Sequence, residues 1–515
     1  MTVQVRTTGA AAVAQAAALG RLRADDVATR LAAGDPTLFV DGSEAATRLG
    51  WLHAVERSRP LLPGLLALRD ALRAERVDRV VLCGMGGSSL APEVICASAG
   101  RPLVVLDSTH PDQVRTALSG DLTRTVVVVS SKSGGTVETD SQRRAFAAAF
   151  EGAGVDAASR MVVVTDPGSP FASLAAELGY RAVFLADPTV GGRYSALTAF
   201  GLVPSALAGV DVEALLAEAS APGLIEVGVE LGAALAGDPS RDKLAIDASG
   251  STLVGFGDWT EQLVAESTGK LGRGLLPVVV DASAPEVRFP APDVHVVRIG
   301  DAPAEGTGVT GPLGAQLVVW EVATAVAGHL LGLDPFDQPD VESAKVAARG
   351  LLEAQPEPAA PAFVDDGVEV HGTPGLLDGV TTVEGAVEAL LGRLDDRGYL
   401  AVMAYLDRER DAALARVRGS LAQQCERPTT FGWGPRFLHS TGQFHKGGTP
   451  VGCFLQVTGL VTDDLEVPDR PFSFGTLLAA QAAGDATVLA DKGRPVLRLH
   501  VTTSAGLERV VEALS

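Results

Sequence analysis

Short apolar runs alternate with helix-spaced apolar residues along most of the chain. Between residues 80 and 185, runs rich in valine and leucine are separated by stretches whose apolar residues recur three and four apart. Continuous apolar runs of this length are typical of parallel strands buried on both faces, with helices between them. The pattern predicts a doubly wound α/β unit with strands at residues 80–83, 103–107, 126–130, 161–166 and 182–185.

The same alternation returns after residue 240 and predicts a second α/β unit. Its strands are expected at residues 243–248, 276–280, 294–299, 399–406, 454–457 and 496–501. Apolar residues before residue 70 follow the helical period instead. We therefore predict two α/β units, each a parallel sheet flanked by helices (a flavodoxin-like αβα sandwich), in three segments: a helical segment 1–70, a first unit 71–215 and a second unit 216–515.

Two segments within the second unit depart from the strand and helix alternation. Residues 313–351 are predicted to be helical, and their most apolar part, residues 317–333, is interrupted by Glu321 and His329. A charged group near the middle of a lipid bilayer costs about 2 kcal/mol or more, so this part is predicted to be a buried helix rather than a membrane span. Residues 353–363 are rich in proline, alanine and glutamate and predict an exposed connection.

Composition narrows the classes of ligand and partner. The 515 residues include 42 basic and 63 acidic side chains, for a net charge of −21, which disfavours nucleic acid as a partner. Any anionic ligand must therefore meet a locally positive site. The four cysteines lack the spacing of metal ligands, which predicts no metal, no disulfide and a reducing cytoplasmic location.

A glycine-rich loop, GMGGSS at residues 84–89, follows the first predicted strand. Ligands of doubly wound sheets bind beyond the carboxyl ends of the strands, and glycines allow the backbone to approach them closely. Gly84, Gly86 and Asp107 partly match a dinucleotide-binding fingerprint, but Ser89 stands at the third glycine position. The loop alone is compatible with a sugar or phosphate site, a nicotinamide site, or a tight turn without a ligand.

A second loop, SKSGGTVET at residues 131–139, follows the strand at residues 126–130. Its hydroxyl groups and glycine amides predict a concave nest for a phosphate group. The loop lacks the Gly-Lys-Ser/Thr ending of a nucleotide-binding P-loop. The hydroxyl groups belong to Ser131, Ser133, Thr136 and Thr139.

An arginine and a glutamate are candidate catalytic residues. Arg193, in the string GGRYS at residues 191–195, follows the last strand of the first unit and could stabilise a developing oxyanion, or form a surface ion pair. Gln262 and Glu266 lie four residues apart and share one helix face. Glu266 near a helix C-terminus is a candidate general base, or it pairs with Lys270.

Two later strings carry further candidates. Gln338 and Lys345 lie seven residues apart in a predicted proline-started helix, which places them on one face, although a lone lysine is most often a surface residue. His439 and His445 lie in a glycine-flanked loop at residues 438–448, with Lys446 beside them.

Taken together, these strings resemble the glucose-6-phosphate isomerase family, which is built from two sugar isomerase (SIS) domains. The resemblance covers residues 75–350 in order and resumes near His439. It implies the interconversion of glucose 6-phosphate and fructose 6-phosphate through a cis-enediolate, without a cofactor, and a homodimer. It leaves two alternative functions open, an isomerase that also uses mannose 6-phosphate and a sugar-phosphate-binding regulator without catalysis.

The resemblance also implies roles for individual residues. Gly87 and Ser88 would contact the sugar and its phosphate, and the four hydroxyls of residues 131–139 would bind the phosphate, with Lys132 beside them. The catalytic groups would include Glu266 as the base, Arg193 at the enediolate and Lys345 in ring opening. Gln262 and Gln338 would bind the substrate.

The ring-opening histidine departs from the order of the family. There it lies between the glutamate and lysine motifs, whereas the similar string here follows Lys345 and begins at His439. The isomerase half of some transaldolase fusions shows the same rearrangement, and this chain resembles it. His439 is the first candidate, with His295 and His445 as alternatives; no transaldolase activity is inferred.

Overall fold

The computed structural model describes residues 2–354 and 359–515. Most strands coincide with the apolar runs, because residues with two buried faces are the residues that form the centre of a parallel sheet. Over the described residues the strands are β1 (Gln4–Thr8), β2 (Arg79–Gly84), β3 (Val104–Leu106), β4 (Thr125–Ser130), β5 (Met161–Thr165), β6 (Ala182–Leu185), β7 (Lys243–Asp247), β8 (Leu276–Val280), β9 (Val294–Ile299), β10 (Gly306–Thr310), β11 (Phe363–Asp365), β12 (Val368–Gly372), β13 (Tyr399–Tyr405), β14 (Thr429–Trp433), β15 (Gly452–Gly459) and β16 (Val496–Val501).

Helices connect nearly all of these strands. Many begin at a residue whose side chain accepts a hydrogen bond from the first turn, such as Ser169, Thr198 and Ser473. They are α1 (Gly9–Ala24), α2 (Val27–Ala32), α3 (Ala45–Arg48), α4 (Ala54–Ser58), α5 (Leu62–Ala74), α6 (Leu90–Ser98), α7 (Pro111–Leu118), α8 (Val137–Gly152), α9 (Ala157–Arg160), α10 (Pro170–Glu177), α11 (Ala199–Ala208), α12 (Val212–Ala219), α13 (Leu224–Ala236), α14 (Phe256–Thr268), α15 (Pro285–Arg288), α16 (Leu313–Leu331), α17 (Val341–Ala354), α18 (Val383–Leu391), α19 (Val417–Cys425), α20 (Gly442–Gly447), α21 (Phe474–Asp491) and α22 (Ser504–Ala513).

The first sheet has the strand order β3-β2-β4-β5-β6, and all of its strands are parallel. Along β2, Leu82 faces one apolar core while Val81 and Cys83 face another on the opposite side. This is the doubly wound arrangement that the strand pattern predicts. The order reverses between β2 and β4, so the loops that follow these two strands diverge and open a crevice at the carboxyl edge.

The second sheet has the order β1-β10-β9-β7-β8, with β1 antiparallel to its neighbour β10. The segment predicted to be helical from residue 1 therefore begins with a strand that joins a sheet formed some 300 residues later. Helices α1, α13 and α16 cover one face of this sheet. Most of α16 is buried there, although its length and composition would allow it to cross a membrane, so the prediction of a buried core helix is confirmed.

The strands after residue 360 form a third sheet, with the order β11-β12-β16-β15-β13-β14. The sequence pattern groups residues 216–515 into one α/β unit, whereas the hydrogen bonds divide their strands between two sheets. The central strands of the third sheet are parallel, and β12 and β11 add an antiparallel edge. We call the parts of the molecule around the three sheets the first, second and third units.

The third unit covers the second face of the second sheet. Val278 and Val296 of the second sheet share one apolar core with Tyr399 and Met403 of β13 and with Phe444 of α20. The second sheet is therefore buried on both sides, by its own helices on one face and by the third unit on the other. This packing fixes the third unit against the remainder of the chain.

The predicted helical stretch at residues 313–351 is divided in the structure. Helix α16 ends at Leu331 and α17 begins at Val341, with Gln338 in the irregular segment between them. The prediction that Gln338 and Lys345 lie on one helix face is therefore wrong. Pro339 explains the difference, because a proline disfavours helical conformation in the residue before it. Of the predicted connection 353–363, residues 355–358 lie outside the described residues.

Candidate active site

The loops after β2 and β4 lie on either side of the strand-order reversal. The first contains a 3-10 turn at Gly86–Ser88, in which the Ser88 amide donates to the Met85 carbonyl over 3.2 Å. Gly86 has a φ of +57°, and a side chain at Gly87 would overlap the backbone carbonyl of Gly192. These glycines therefore allow the loop to touch the backbone that carries Arg193.

The second loop arranges its hydroxyl groups ahead of helix α8. The Ser131 hydroxyl lies 3.2 Å from the Thr136 hydroxyl and accepts the Gly134 amide over 3.1 Å. Ser133 is exposed, and its oxygen accepts the Gly135 amide over 3.2 Å. The Thr139 hydroxyl is buried with no hydrogen-bond partner among the described residues. The loop thus holds free hydrogen-bonding capacity at the N-terminus of a 16-residue helix, where anions bind favourably.

Lys132 points to one side of this loop. Its ammonium group lies 2.6 Å from an Asp166 carboxylate oxygen and 3.4 Å from the Pro188 carbonyl oxygen. Because an acidic partner already neutralises this charge, the hydroxyl and amide groups are the stronger candidates for holding a phosphate.

Arg193 is buried at the centre of the site. Its guanidinium donates to the Ser267 hydroxyl over 2.7 Å, to the Gln338 side-chain oxygen over 2.8 Å and to the Pro335 carbonyl over 2.7 Å. One of its nitrogens also lies 3.2 Å from a Glu266 carboxylate oxygen. Arg193 therefore forms a buried ion pair with Glu266 rather than a surface pair, and Gln338 lies beside both residues.

Glu266 is held by Gln262, its neighbour one turn earlier on α14. The Gln262 amide lies 3.2 Å from the Glu266 carboxylate and 2.7 Å from the His439 carbonyl oxygen. The alternative pair between Glu266 and Lys270 is absent from the described contacts. Lys270 instead donates to the carbonyls of Asp334 and Asp337, and burial together with the Arg193 charge lowers its pKa to about 8.

His439 reaches this site from the third unit, at the end of the 3-10 turn Arg436–His439 after β14. Its Nε2 lies 3.1 Å from a carboxylate oxygen of Glu138, in the first turn of α8. Burial raises the pKa of Glu138, but the hydrogen bond and positive charge of His439 outweigh burial and hold that pKa below its ordinary value. Glu138, which is buried, and His439, which is partly buried, thus form a carboxylate–imidazole pair across two units.

Ion pairs fix the turn that carries His439. Arg436 donates to the Glu93 carboxylate, and its Nε lies 3.3 Å from an oxygen of Asp107. Arg408 lies 3.4 Å from the other Asp107 oxygen, and the Ser89 hydroxyl donates to Asp107 over 3.2 Å. Asp107 therefore anchors the third unit to the first, which argues against its alternative role as the ribose ligand of a dinucleotide.

Lys345 lies on α17, exposed to solvent. Its positive charge is among the influences that lower the pKa of Glu138. Helix α17 contacts the 3-10 turn that ends at His439, so Lys345 lies on an element next to the Glu138–His439 pair.

The two alternative histidines are core residues. His295 lies on β9, where its Nε2 is 3.0 Å from the Thr307 hydroxyl and burial lowers its pKa to about 4. His445 lies on α20, where its Nδ1 is 3.1 Å from the Tyr399 hydroxyl and burial lowers its pKa to about 3. Of the three histidine candidates, His439 is the one that contacts other site residues in the described structure.

Sequence reasoning missed Glu138 as a site residue. It stands within the 131–139 loop, but its partner His439 is 301 residues away in sequence. A usable signal was present, since an acidic residue in the first turn of an anion-binding helix opposes phosphate binding unless a cation faces it.

Comparison with known proteins identifies the family. A probable glucose-6-phosphate isomerase of Haloarcula marismortui is 30% identical over 351 residues, which are 54% of this chain and 79% of that protein. A probable glucose-6-phosphate isomerase of Natronomonas pharaonis is 31% identical over 350 residues, which are 56% of this chain and 82% of that protein. No family model matches the chain. By its relatives, the chain belongs to the glucose-6-phosphate isomerase family, as the motifs predict.

Another relative and a solved structure match this chain over different fractions of its length. The glucose-6-phosphate isomerase of Rippkaea orientalis is 35% identical over 217 residues, so that this chain spans 41% of its length. A crystal structure of a hypothetical protein from Thermus thermophilus aligns with a TM-score of 0.59 and 25% identity, over 68% of this chain and 100% of that one. The predicted α/β fold class is therefore confirmed over most of the molecule.

Proposed function

We propose that this protein interconverts glucose 6-phosphate and fructose 6-phosphate. The observation that carries the proposal is the convergence of Glu266, Arg193 and His439 beside a hydroxyl-rich anion loop. Each group supplies something that an aldose–ketose isomerisation needs: a base, a fixed cation and an imidazole for proton transfer at the ring oxygen. The family to which the chain belongs supports the same reaction.

The phosphate group would be the part of the substrate that the protein binds most firmly. The hydroxyl groups of Ser131, Ser133, Thr136 and Thr139, with the amides at the start of α8, would hold the phosphate. Gly87 and Ser88, in the neighbouring loop, would lie along the sugar. Fixing a remote charged group makes proton transfer at the other end of the sugar effectively intramolecular.

Ring opening would be the task of His439 and Lys345. The imidazole is oriented by Glu138, which leaves its other nitrogen to serve the substrate. Proton transfer between C2 and C1 would then fall to Glu266. The Arg193 guanidinium, buried beside that carboxylate, would stabilise the enediolate, and a preorganised donor of this kind is worth about 3 kcal/mol.

A coupled assay tests this function. The full chain is given fructose 6-phosphate, and the glucose 6-phosphate formed is oxidised by an auxiliary dehydrogenase whose nicotinamide absorbance is followed. Turnover supports the proposal, and calorimetric binding of fructose 6-phosphate without any turnover would favour the sugar-phosphate-binding regulator instead. Mannose 6-phosphate in a parallel reaction tests the broader isomerase. The homodimer and the cytoplasmic location stay predictions.

Replacing His439 by alanine is expected to slow the use of ring-closed substrate. The expected loss of kcat/KM is about 100-fold with glucose 6-phosphate, because ring opening loses its acid–base group. An aldohexose phosphate without the C4 and C5 hydroxyl groups cannot close a ring. With this substrate, kcat/KM of the variant should fall less than about threefold. Steady-state kinetics with both substrates measure the difference, and equal losses would reject the ring-opening role.

Replacing Ser131 by alanine is expected to weaken substrate binding. The variant loses one hydroxyl donor to the phosphate and the acceptor for the Gly134 amide, so KM for fructose 6-phosphate should rise about tenfold. The value of kcat should change far less. Ser159→Ala, which removes a hydroxyl beside β5 at the opposite edge of the first sheet, is the control. An unchanged KM in Ser131→Ala would place the phosphate elsewhere.

A further inference from the structure

A chain of four hydrogen-bonded side chains ends at the Glu138–His439 pair. The Thr109 hydroxyl donates to the Gln481 side-chain oxygen over 2.8 Å, and the Gln481 amide donates to Glu138 over 2.7 Å. The Glu138 oxygen that accepts Gln481 is the same oxygen that lies 3.1 Å from His439. Thr109, Gln481 and Glu138 are each at most 5% exposed.

The chain crosses between two units at every step. Thr109 follows β3 and Glu138 opens α8, both in the first unit, whereas Gln481 lies on α21 and His439 follows β14, both in the third unit. Each side chain is therefore held by residues of the other unit. The geometry of the Glu138 carboxylate depends on both units being in register.

Gln481 is suited to orient a carboxylate without neutralising it. Its amide donates a hydrogen bond but carries no charge, so the negative charge of Glu138 stays available to His439. The amide itself cannot rotate freely, because its oxygen is held by Thr109. Without Gln481, one donor to a buried carboxylate is lost and the carboxylate plane is free to turn away from the imidazole.

Helix α21 also packs against α17, which carries Lys345. Their approach is close at Gly484, where an added side-chain carbon would lie 2.9 Å from the backbone nitrogen of Ala348. One helix of the third unit therefore supports the helix of Lys345 and contacts the carboxylate that orients His439.

We infer that Gln481, braced by Thr109, is a positioning residue that acts on ring opening through Glu138 and His439. The inference rests on the proposed function and deepens it. It assigns the third unit a defined part in the reaction, which is to orient the imidazole that it contributes. It also predicts that the effect is confined to ring-closed substrates, since the groups that move the C2 proton do not contact Gln481 in the described structure.

The test compares Gln481→Leu with Gln456→Leu. Gln456 is a second buried glutamine of the third unit, whose amide donates to the Ala482 carbonyl and has no contact with Glu138 in the described structure. For Gln481→Leu we expect kcat/KM for glucose 6-phosphate to fall about tenfold, because the variant loses a hydrogen bond to a charged group. With the aldohexose phosphate that cannot close a ring, kcat/KM should change less than about twofold. Gln456→Leu should leave both values within about twofold of wild type.

Equal losses on the two substrates, or no loss, in Gln481→Leu would overturn the inference. If that variant does not fold, Thr109→Val, which keeps the side-chain shape, decides in its place. For this variant we expect kcat/KM to fall about threefold with glucose 6-phosphate and to stay unchanged with the substrate that cannot close a ring. An unchanged ratio of the two kcat/KM values would overturn the inference. A wild-type protein that converts neither substrate would instead refute the proposed function.

Discussion

Replacing Glu266 by glutamine is expected to reduce kcat at least about 100-fold while substrate still binds. Glutamine keeps the size and the hydrogen-bonding oxygen of the side chain but cannot accept the C2 proton. The contact with Gln262 and the buried position beside Arg193 both predict that the site stays assembled. Calorimetric titration with fructose 6-phosphate measures binding, and the coupled assay measures turnover.

Glu261 on the same helix offers a matched control. Burial, reinforced by the nearby Asp258 charge, raises the pKa of its carboxyl group well above the ordinary value, which favours the neutral form of the side chain. Glutamine resembles a protonated glutamate, and Glu261→Gln should therefore leave kcat within about twofold of wild type. Near-normal turnover in Glu266→Gln would show that another residue is the base.

Replacing Gly87 by alanine is expected to abolish most activity and to destabilise the fold. The added methyl group would overlap the Gly192 carbonyl, a backbone atom that no side-chain rotation can move aside. The loop after β2 or the backbone of Arg193 must shift, and a displacement of about 1 Å in such a site can cost about 100-fold in rate. Overpacking of a buried contact also costs about 1–3 kcal/mol of unfolding free energy.

Gly192→Ala tests the same contact from its other side. An alanine methyl group at Gly192 would meet open space, and the residue has no positive φ. Its thermal unfolding midpoint should stay close to that of the wild type, whereas that of Gly87→Ala should fall by several degrees. If Gly87→Ala retains wild-type activity and stability, the two loops do not meet as described.

The strand pattern predicted the first sheet almost completely, because its central strands β2, β4 and β5 are buried on both faces and its edge strands β3 and β6 are also local apolar runs. It missed β1, β10, β11, β12 and β14, in which polar or glycine residues interrupt any apolar run. Local patterns also cannot tell which sheet a strand joins. Residues 399–406 and 243–248 read alike, yet they belong to different sheets that share one apolar core.

The site shows the same division between local and distant information. The hydroxyl loop at residues 131–139 and the Gln262–Glu266 spacing are local, and both could be predicted from sequence. The contact of Arg193 with Glu266 joins two units, and the Glu138–His439 pair joins the first unit to the third. Only the packing of all three units against one another brings these residues together, and no short stretch of sequence contains that information.

In the proposed reaction, Glu266 moves a proton between neighbouring carbons of a sugar phosphate. The most direct measurement is nuclear magnetic resonance of fructose 6-phosphate incubated with the full chain in deuterium oxide. We expect that the wild type forms glucose 6-phosphate carrying solvent deuterium at C2, and that Glu266→Gln forms almost none. Glucose 6-phosphate formed at the wild-type rate by Glu266→Gln would show that Glu266 is not the base, and none formed by the wild type would refute the proposed reaction.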